Sequence, residues 1–379
     1  MIKIFSSVFS QLRRKNFALR FEKILLILLA LSVCVSEPFS RNIIRIIFVM
    51  VAVTFFIGRD NAMEIIKRYK NFLLPISAFA WWMIISSIYG GDIITDDDSN
   101  VYWFFFSHNM ILFIPMIIMI RGQKNSEKLL IATAMSLLIE DIFIFYQLGQ
   151  GVINPIAFLN DSPFQSSILY VILLPTLLIL TLSAHELRKQ IFYGGTFFIS
   201  LAAFLFLYTK FAQIVLAIIF LIILFEGLRH YKKSLILAMA AGIFLIMSQG
   251  TLNGEDVFTE RKIVWSSAIE IISENPIMGV GLGNLHEFLP KNLIITHVYN
   301  TYLQFWAETG IFGLLLFCGI FGAILIWSKK RTENLYGKIL FFSTLSLMLY
   351  AATDFIFESY SAMRLYWFLL GVCVASLDR

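Results

Sequence analysis

The chain has 379 residues, a formal net charge of +5, 59% hydrophobic residues and only 15% charged ones. Soluble domains carry roughly 25% charge, so a bilayer is the solvent for most of this sequence and a soluble globular class is excluded. The positive balance is explained by membrane orientation, argued below, and gives no reason to expect a nucleic-acid partner.

Twelve apolar runs are candidates to cross about 30 Å of hydrocarbon, several of them short. In chain order they are roughly 21–36, 43–57, 72–88, 101–120, 129–148, 165–183, 191–208, 211–225, 234–247, 309–327, 338–353 and 361–377. They are solid apolar blocks without period-two alternation, so helices are the spanning element. The expectation is an all-α polytopic membrane protein, one domain over 1–379, with one large loop at 248–304.

The first run follows a basic segment, but no small-x-small cleavage site comes after it and eleven more spans do, so it reads as a span and not as a cleaved signal. Cys34, Cys318 and Cys373 all sit in apolar runs without paired spacing and read as small hydrophobes. Alternate connections carry the basic residues: Arg59, Lys67, Arg68 and Lys70, then Arg121, Lys124 and Lys128, then Arg188 and Lys189, and further sets on to Lys338. In all, 23 of the 30 Lys and Arg residues fall on one side of this topology, which is predicted to be cytoplasmic and to hold both termini. The loop at 248–304 is then external.

Several polar positions inside or between the spans need an account. Asp96-Asp97-Asp98 contains a D-x-D pattern, but with no nucleotide-binding domain beside it a solvated acidic loop is the reading. His108 and Asn109 read as interhelical hydrogen bonders. Glu140 and Asp141 lie inside the fifth span, where each charge costs about 2.5–3.5 kcal/mol on insertion scales, so a cavity or a cation such as Lys210 is expected beside at least one of them. Trp103, Tyr208 and Tyr366 stand near span ends as interfacial anchors.

The external loop concentrates cations, glycines and hydrogen-bonding side chains. Arg261 to Ser273 has an amphipathic helical pattern, with Ile263, Val264, Ile269, Ile271 and Ile272 among polar residues, and Asn275-Pro276 ends it. Gly279, Gly281 and Gly283 follow as a flexible turn. If Asn300 starts the next helix, then Asn300, Gln304 and Glu308 form a polar stripe at four-residue spacing that descends into the bilayer and needs a partner or a cavity. Asp354 and Glu358 precede Arg364 at the external end of the last two spans, where they either complete a basic site or brace the hairpin.

These motifs carry a resemblance. Arg261-x3-Trp265, Asn275-Pro276-Ile277-x-Gly279-x-Gly281, and His297-x2-Asn300-x-Tyr302-Leu303-Gln304-x3-Glu308-x-Gly310-x2-Gly313 resemble the signature region of the O-antigen ligase and O-antigen polymerase superfamily. The resemblance implies a metal-independent glycosyltransferase of the bacterial inner membrane, without a cofactor. It implies transfer of a glycan from undecaprenyl diphosphate to a hydroxyl, on lipid A-core or on a growing lipid-linked glycan, at the periplasmic face. Carried over by residue, it places Arg261 on the donor diphosphate and Lys210 where a second family arginine usually stands. Arg364 joins the substrate-binding set. Ligases of this kind typically have a histidine immediately before the asparagine, and here Tyr299 occupies that place with His297 two residues earlier. Either His297 or Tyr299 then serves the acceptor, and Asn300 and Gln304 position sugar hydroxyls. A lipid-linked oligosaccharide flippase or transporter is the reading from another class, disfavoured because the charges cluster on one side of the bilayer.

Overall fold

The structure, a computed structural model, describes residues 17–34, 40–49, 59–89, 110–120, 126–152, 155–156, 163–207, 209–227, 255–289 and 297–377. Thirteen helices are described: α1 (Phe17–Ser32), α2 (40–49), α3 (Arg59–Tyr89), α4 (Phe113–Ile120), α5 (Ser126–Gly149), α6 (Pro163–Ser183) and α7 (Leu187–Leu205). They continue as α8 (Lys210–Gly227), α9 (Glu255–Glu274), α10 (Leu285–Phe288), α11 (Thr301–Lys329), α12 (Leu335–Ala351) and α13 (Tyr360–Leu377). No strand occurs among the described residues, as the solid apolar blocks required.

Four described helices are long and apolar enough to cross a membrane: α5, α6 from Gln165, α11 and α13. Shorter apolar segments lie at Leu73–Tyr89, Lys210–Ile223 and Leu335–Ala351. The predicted ninth span, 234–247, lies outside the described residues, as do the first part of the fourth and the second half of the second. Asp96 to Asp98, Trp103, His108, Asn109 and Tyr208 lie outside them too.

The centre of the bundle is built from α6 and α13. Every residue of α13 from Ser361 to Ser376 is buried, and α6 is buried on nearly all sides from Ser166 to Leu180. Helices apolar all round belong inside a larger assembly. α12 packs on α6, on α11 and on α13, α6 on α7, α11 on α3, and α1 on α5. Aromatic rings join three of these elements: Phe79 of α3 meets Phe305 of α11 at 5.6 Å, and Phe321 meets Trp367 of α13 at 5.9 Å. Such pairs contribute about 0.5–1.5 kcal/mol each, which matters where lipid removes the hydrophobic drive between helices.

Hydroxyl contacts cross the same interfaces. Thr176 meets Ser343 at 2.8 Å, and Ser376 donates to Ser126 at 2.6 Å. Tyr366 is a correction to its predicted place at the interface: it is fully buried and its hydroxyl meets Thr344 at 2.9 Å, because α13 is the central helix. The three cysteines are free. Asp141 has its own partners. Its carboxylate accepts from the hydroxyls of Tyr170 at 2.8 Å and Ser200 at 2.5 Å, two neutral donors.

Lys189 pairs with Glu127 at 2.7 Å and Lys338 with Glu226 at 3.5 Å, which gathers at one end connections carrying the basic excess. α9 and the segment 297–300 gather at the other, around the end of α12 and the start of α8.

Candidate functional site

The predicted amphipathic helix is α9, longer at its start than the sequence pattern suggested and ending at Glu274. Its inward face holds Val264, Ala268, Ile271 and Ile272, which pack with Leu285, Leu289, Val298 and Ala307 as a small second core. Ile263 and Ile269 stay exposed. The helix thus rests on the first turns of α11, and this seat directs Arg261 inward.

Arg261 is only 4% exposed. Its guanidinium donates to the carbonyls of Thr353 and, at 3.4 Å, of Tyr299. It also lies between two rings, 4.1 Å from the centroid of Phe211 and 4.8 Å from that of Tyr299. Among the described residues no carboxylate is within ion-pair distance of it. Burial pushes the Arg261 pKa down, and the charge of Asp354 opposes that shift. Asp354 is itself pushed up by burial, against the attraction of Arg261, and its carboxylate accepts from Tyr350 Oη at 2.8 Å and from the Phe355 N–H at 2.9 Å. Burial thus weakens the charged form of both groups, and neither neutralises the other by contact.

Lys210 opens α8 next to Phe211, so the start of that helix is brought to Arg261. The positive end of the α8 dipole therefore lies on the side of Arg261.

Tyr299 has φ 52°, in the left-handed region that a bulky side chain rarely adopts. This conformation turns both its carbonyl and its ring towards Arg261. Asn300 then starts α11: its Oδ1 accepts from the N–H groups of Tyr302 at 3.0 Å and Leu303 at 3.1 Å, and its Nδ2 donates to Ala352 at 3.0 Å. The predicted helix start is therefore in place. Thr301 ties the same turn to the Asp354 carbonyl at 2.7 Å.

The polar stripe has protein partners. Gln304 accepts from the Val298 N–H at 2.9 Å and donates to Glu308 at 2.6 Å, and Glu308 also takes the N–H of Gly283. The glycine turn is another correction: it is not a flexible hinge. α11 breaks at Gly310, φ 67° and ψ −174°, and the freed carbonyls of Ala307 and Glu308 accept from Val280 at 2.9 Å and Gly281 at 2.8 Å. Thr309 accepts from Trp82 at 2.8 Å. A Cβ on Gly279 would stand 2.4 Å from the Glu308 carbonyl, so the turn needs glycine in order to approach.

His297 packs on Phe355 with ring centroids 4.7 Å apart, and its Nδ1 is buried with no partner among the described residues. Burial first, then the charge of His286, push its pKa down to about 4. The imidazole is therefore neutral across physiological pH. It is too weak a base for full proton abstraction but able to accept a hydrogen bond from a hydroxyl. The sign of the linkage follows. Between pH 6.5 and 4 the unfolded chain holds the His297 proton and the folded one does not, so this contribution is complete above pH 6.5 and lost as pH falls to 4. Roughly 3 kcal/mol is at stake across that window. Thermal melts of wild-type and His297→Gln protein in detergent should converge as pH drops from 7 to 4; a constant gap would refute the buried neutral histidine.

Arg364 is buried in α13 and donates to Ser40 at 2.6 Å. Glu358 accepts from Gln165 at 3.2 Å. Arg261, Tyr299, Asn300 and the start of α8 are brought together, and Gln304 joins them through Val298. Sequence reasoning did not find Phe211, whose signal was its position after Lys210, nor the Thr353 carbonyl, which no side-chain pattern encodes.

Residues 169–318 match the family model described as O-antigen ligase. The match contains Lys210, Arg261, His297 to Glu308 and both Gly310 and Gly313, and ends before Asp354 and Arg364. The resemblance read from the motifs is therefore upheld over these residues. No curated protein matches the chain.

Proposed function

From kinship with the O-antigen ligase superfamily over residues 169–318, we propose that this chain is an inner-membrane glycosyltransferase that moves a glycan from undecaprenyl diphosphate to an acceptor hydroxyl at the periplasmic face. The observation that carries the reading is Arg261, a buried guanidinium held by two carbonyls and two rings, with no carboxylate in contact among the described residues. A cation so placed is suited to a diphosphate, whose charge grows as the glycosyl bond breaks. Lys210 supplies a second charge as a less directional point donor.

In this reading the glycosyl carbon leaves the diphosphate oxygen and bonds to the acceptor oxygen. The hydroxyl proton ends on solvent or on the departing phosphate. Neutral His297 orients the acceptor hydroxyl as a hydrogen-bond acceptor, and Tyr299 covers Arg261 until donor arrives. Asn300 and Gln304 shape the loop that positions the sugar hydroxyls.

A second acceptor is favoured by one residue. Tyr299 stands directly before Asn300, where ligases of the superfamily carry histidine, and this suits a polymerase whose acceptor is a lipid-linked glycan. Cells lacking the gene decide between the two. Bare lipid A-core with long polymer left on the carrier establishes the ligase; core capped by a single repeat establishes the polymerase. Unchanged glycolipid together with unchanged carrier-linked glycan would refute both.

A further inference from the structure

Glu308 lies outside the set just assigned to the transfer, yet it joins the two halves of the loop. It is 4% exposed, in α11 two residues before the Gly310 break. Its carboxylate takes the Gly283 N–H from the glycine turn and Gln304 Nε2 at 2.6 Å. Both partners are donors. A carboxylate oxygen facing Gln304 therefore fixes which way that amide points: Nε2 towards Glu308, and Oε1 towards the fully buried N–H of Val298, 2.9 Å away. The other polar group of Val298, its carbonyl, accepts from Trp265 Nε1 at 2.9 Å, one turn along α9 from Arg261. One line of hydrogen bonds thus runs from the glycine turn through Glu308 and Gln304 to the residue between His297 and Tyr299, and on to the helix carrying Arg261.

We propose that Glu308 is a positioning residue that sets the His297–Asn300 segment against Arg261 by fixing the orientation of the Gln304 amide; its effect on turnover rests on the transfer reading above, whereas its effect on the loop does not. An amide at position 308 cannot do the same work. It has one acceptor oxygen where the carboxylate has two, and with that oxygen given to Gly283 its NH2 is what remains for Gln304. Gln304 must then offer its own oxygen to that NH2, and the Val298 N–H is left facing a donor. A buried N–H without an acceptor is costly and the segment shifts.

Exchanging the two side chains restores every bond. In the double variant Gln304→Glu with Glu308→Gln, the amide at position 308 accepts from Gly283 and donates to the carboxylate at position 304, whose second oxygen accepts from Val298. Gln304→Glu alone sets two carboxylates against each other and loses the arrangement.

The test is hydrogen–deuterium exchange over residues 297–304 of the purified full chain, read beside glycan transfer. Glu308→Gln should raise exchange at Val298 and lower turnover, each by about tenfold, the scale of one lost buried hydrogen bond. The double variant should return both to within about threefold of wild type, since partners in contact couple non-additively. Unchanged Val298 protection in Glu308→Gln, or a double variant no better protected than the single ones, overturns the proposal. Wild-type protein without transfer activity would count against the glycosyltransferase reading, and the exchange data would still decide the role of Glu308.

Discussion

Replacing Gly310 with alanine is expected to abolish the folded loop domain, with a loss of about 3 kcal/mol or more, the range reserved for backbone strain combined with steric overlap. The residue sits at φ 67° and ψ −174°, a conformation essentially restricted to glycine. An added Cβ would stand 1.9 Å from the Ile277 carbonyl oxygen and 2.7 Å from the Met278 nitrogen, both backbone atoms that cannot swing aside. Relief would require the Ile277–Gly283 turn to lift off α11. That would release the Val280 and Gly281 N–H groups from Ala307 and Glu308, and the Ile311 N–H from Pro276. Trp306 Nε1 also donates to the Pro276 carbonyl, at 3.2 Å, so the same movement strips a second donor. The measurement is the melting temperature of Gly310→Ala in detergent beside Gly319→Ala. Gly319 lies further along the same helix, where an added methyl group would meet nothing within 4 Å, so its replacement should be nearly silent. Equal melting temperatures for the two variants would mean that the α11 break is not a fixed feature of the fold.

The contrast between those two glycines also shows what the sequence made legible. The helical class, the amphipathic helix before Asn275-Pro276 and the start of α11 at Asn300 could be read, because each rests on local signals: apolar run length, 3.6-residue periodicity and an N-cap. The role of the glycines could not, because it depends on what approaches them. Gly279, Gly281 and Gly283 look like a pliable turn until Ala307 and Glu308 are placed against them. Asp141 shows the same limit. Its cost in a span was predictable from the residue alone, but its two hydroxyl partners come from α6 and α7, far away in the chain. The polar stripe of Asn300, Gln304 and Glu308 was visible as a stripe, and its purpose was not, since its partners are the backbone N–H groups of Val298 and Gly283. Arg261 stood out in the sequence as a basic residue, followed by Lys262, on an amphipathic helix of the predicted external loop. The pair of rings and carbonyls that hold it could be found only in three dimensions.

Arg261 gives the other large effect. In Arg261→Ala, glycan transfer is expected to fall by about 10² to 10³, the scale of removing one group aimed at charge that develops in the transition state. Two opposing consequences for the fold must be weighed. The substitution leaves the carbonyls of Thr353 and Tyr299 without their donor, which destabilises, but it also removes a buried cation whose charged form burial already disfavours. These terms offset, so the protein should remain inserted and folded while turnover is lost. Arg261→Lys separates charge from geometry. An ammonium can take up carbonyl contacts, since one guanidinium nitrogen reaches both Thr353 and Tyr299, but it cannot stack as a planar group on Phe211 and Tyr299. It should therefore recover part of the turnover and little of the donor affinity. The readout is surface glycolipid in cells carrying each variant, with carrier-linked glycan measured beside it and membrane levels of the protein matched. Carrier-linked glycan should accumulate on the periplasmic side in Arg261→Ala. Unchanged transfer in that variant would remove the diphosphate from this site and revive the flippase reading, because a transporter with a midplane path would tolerate loss of a cation in the external loop.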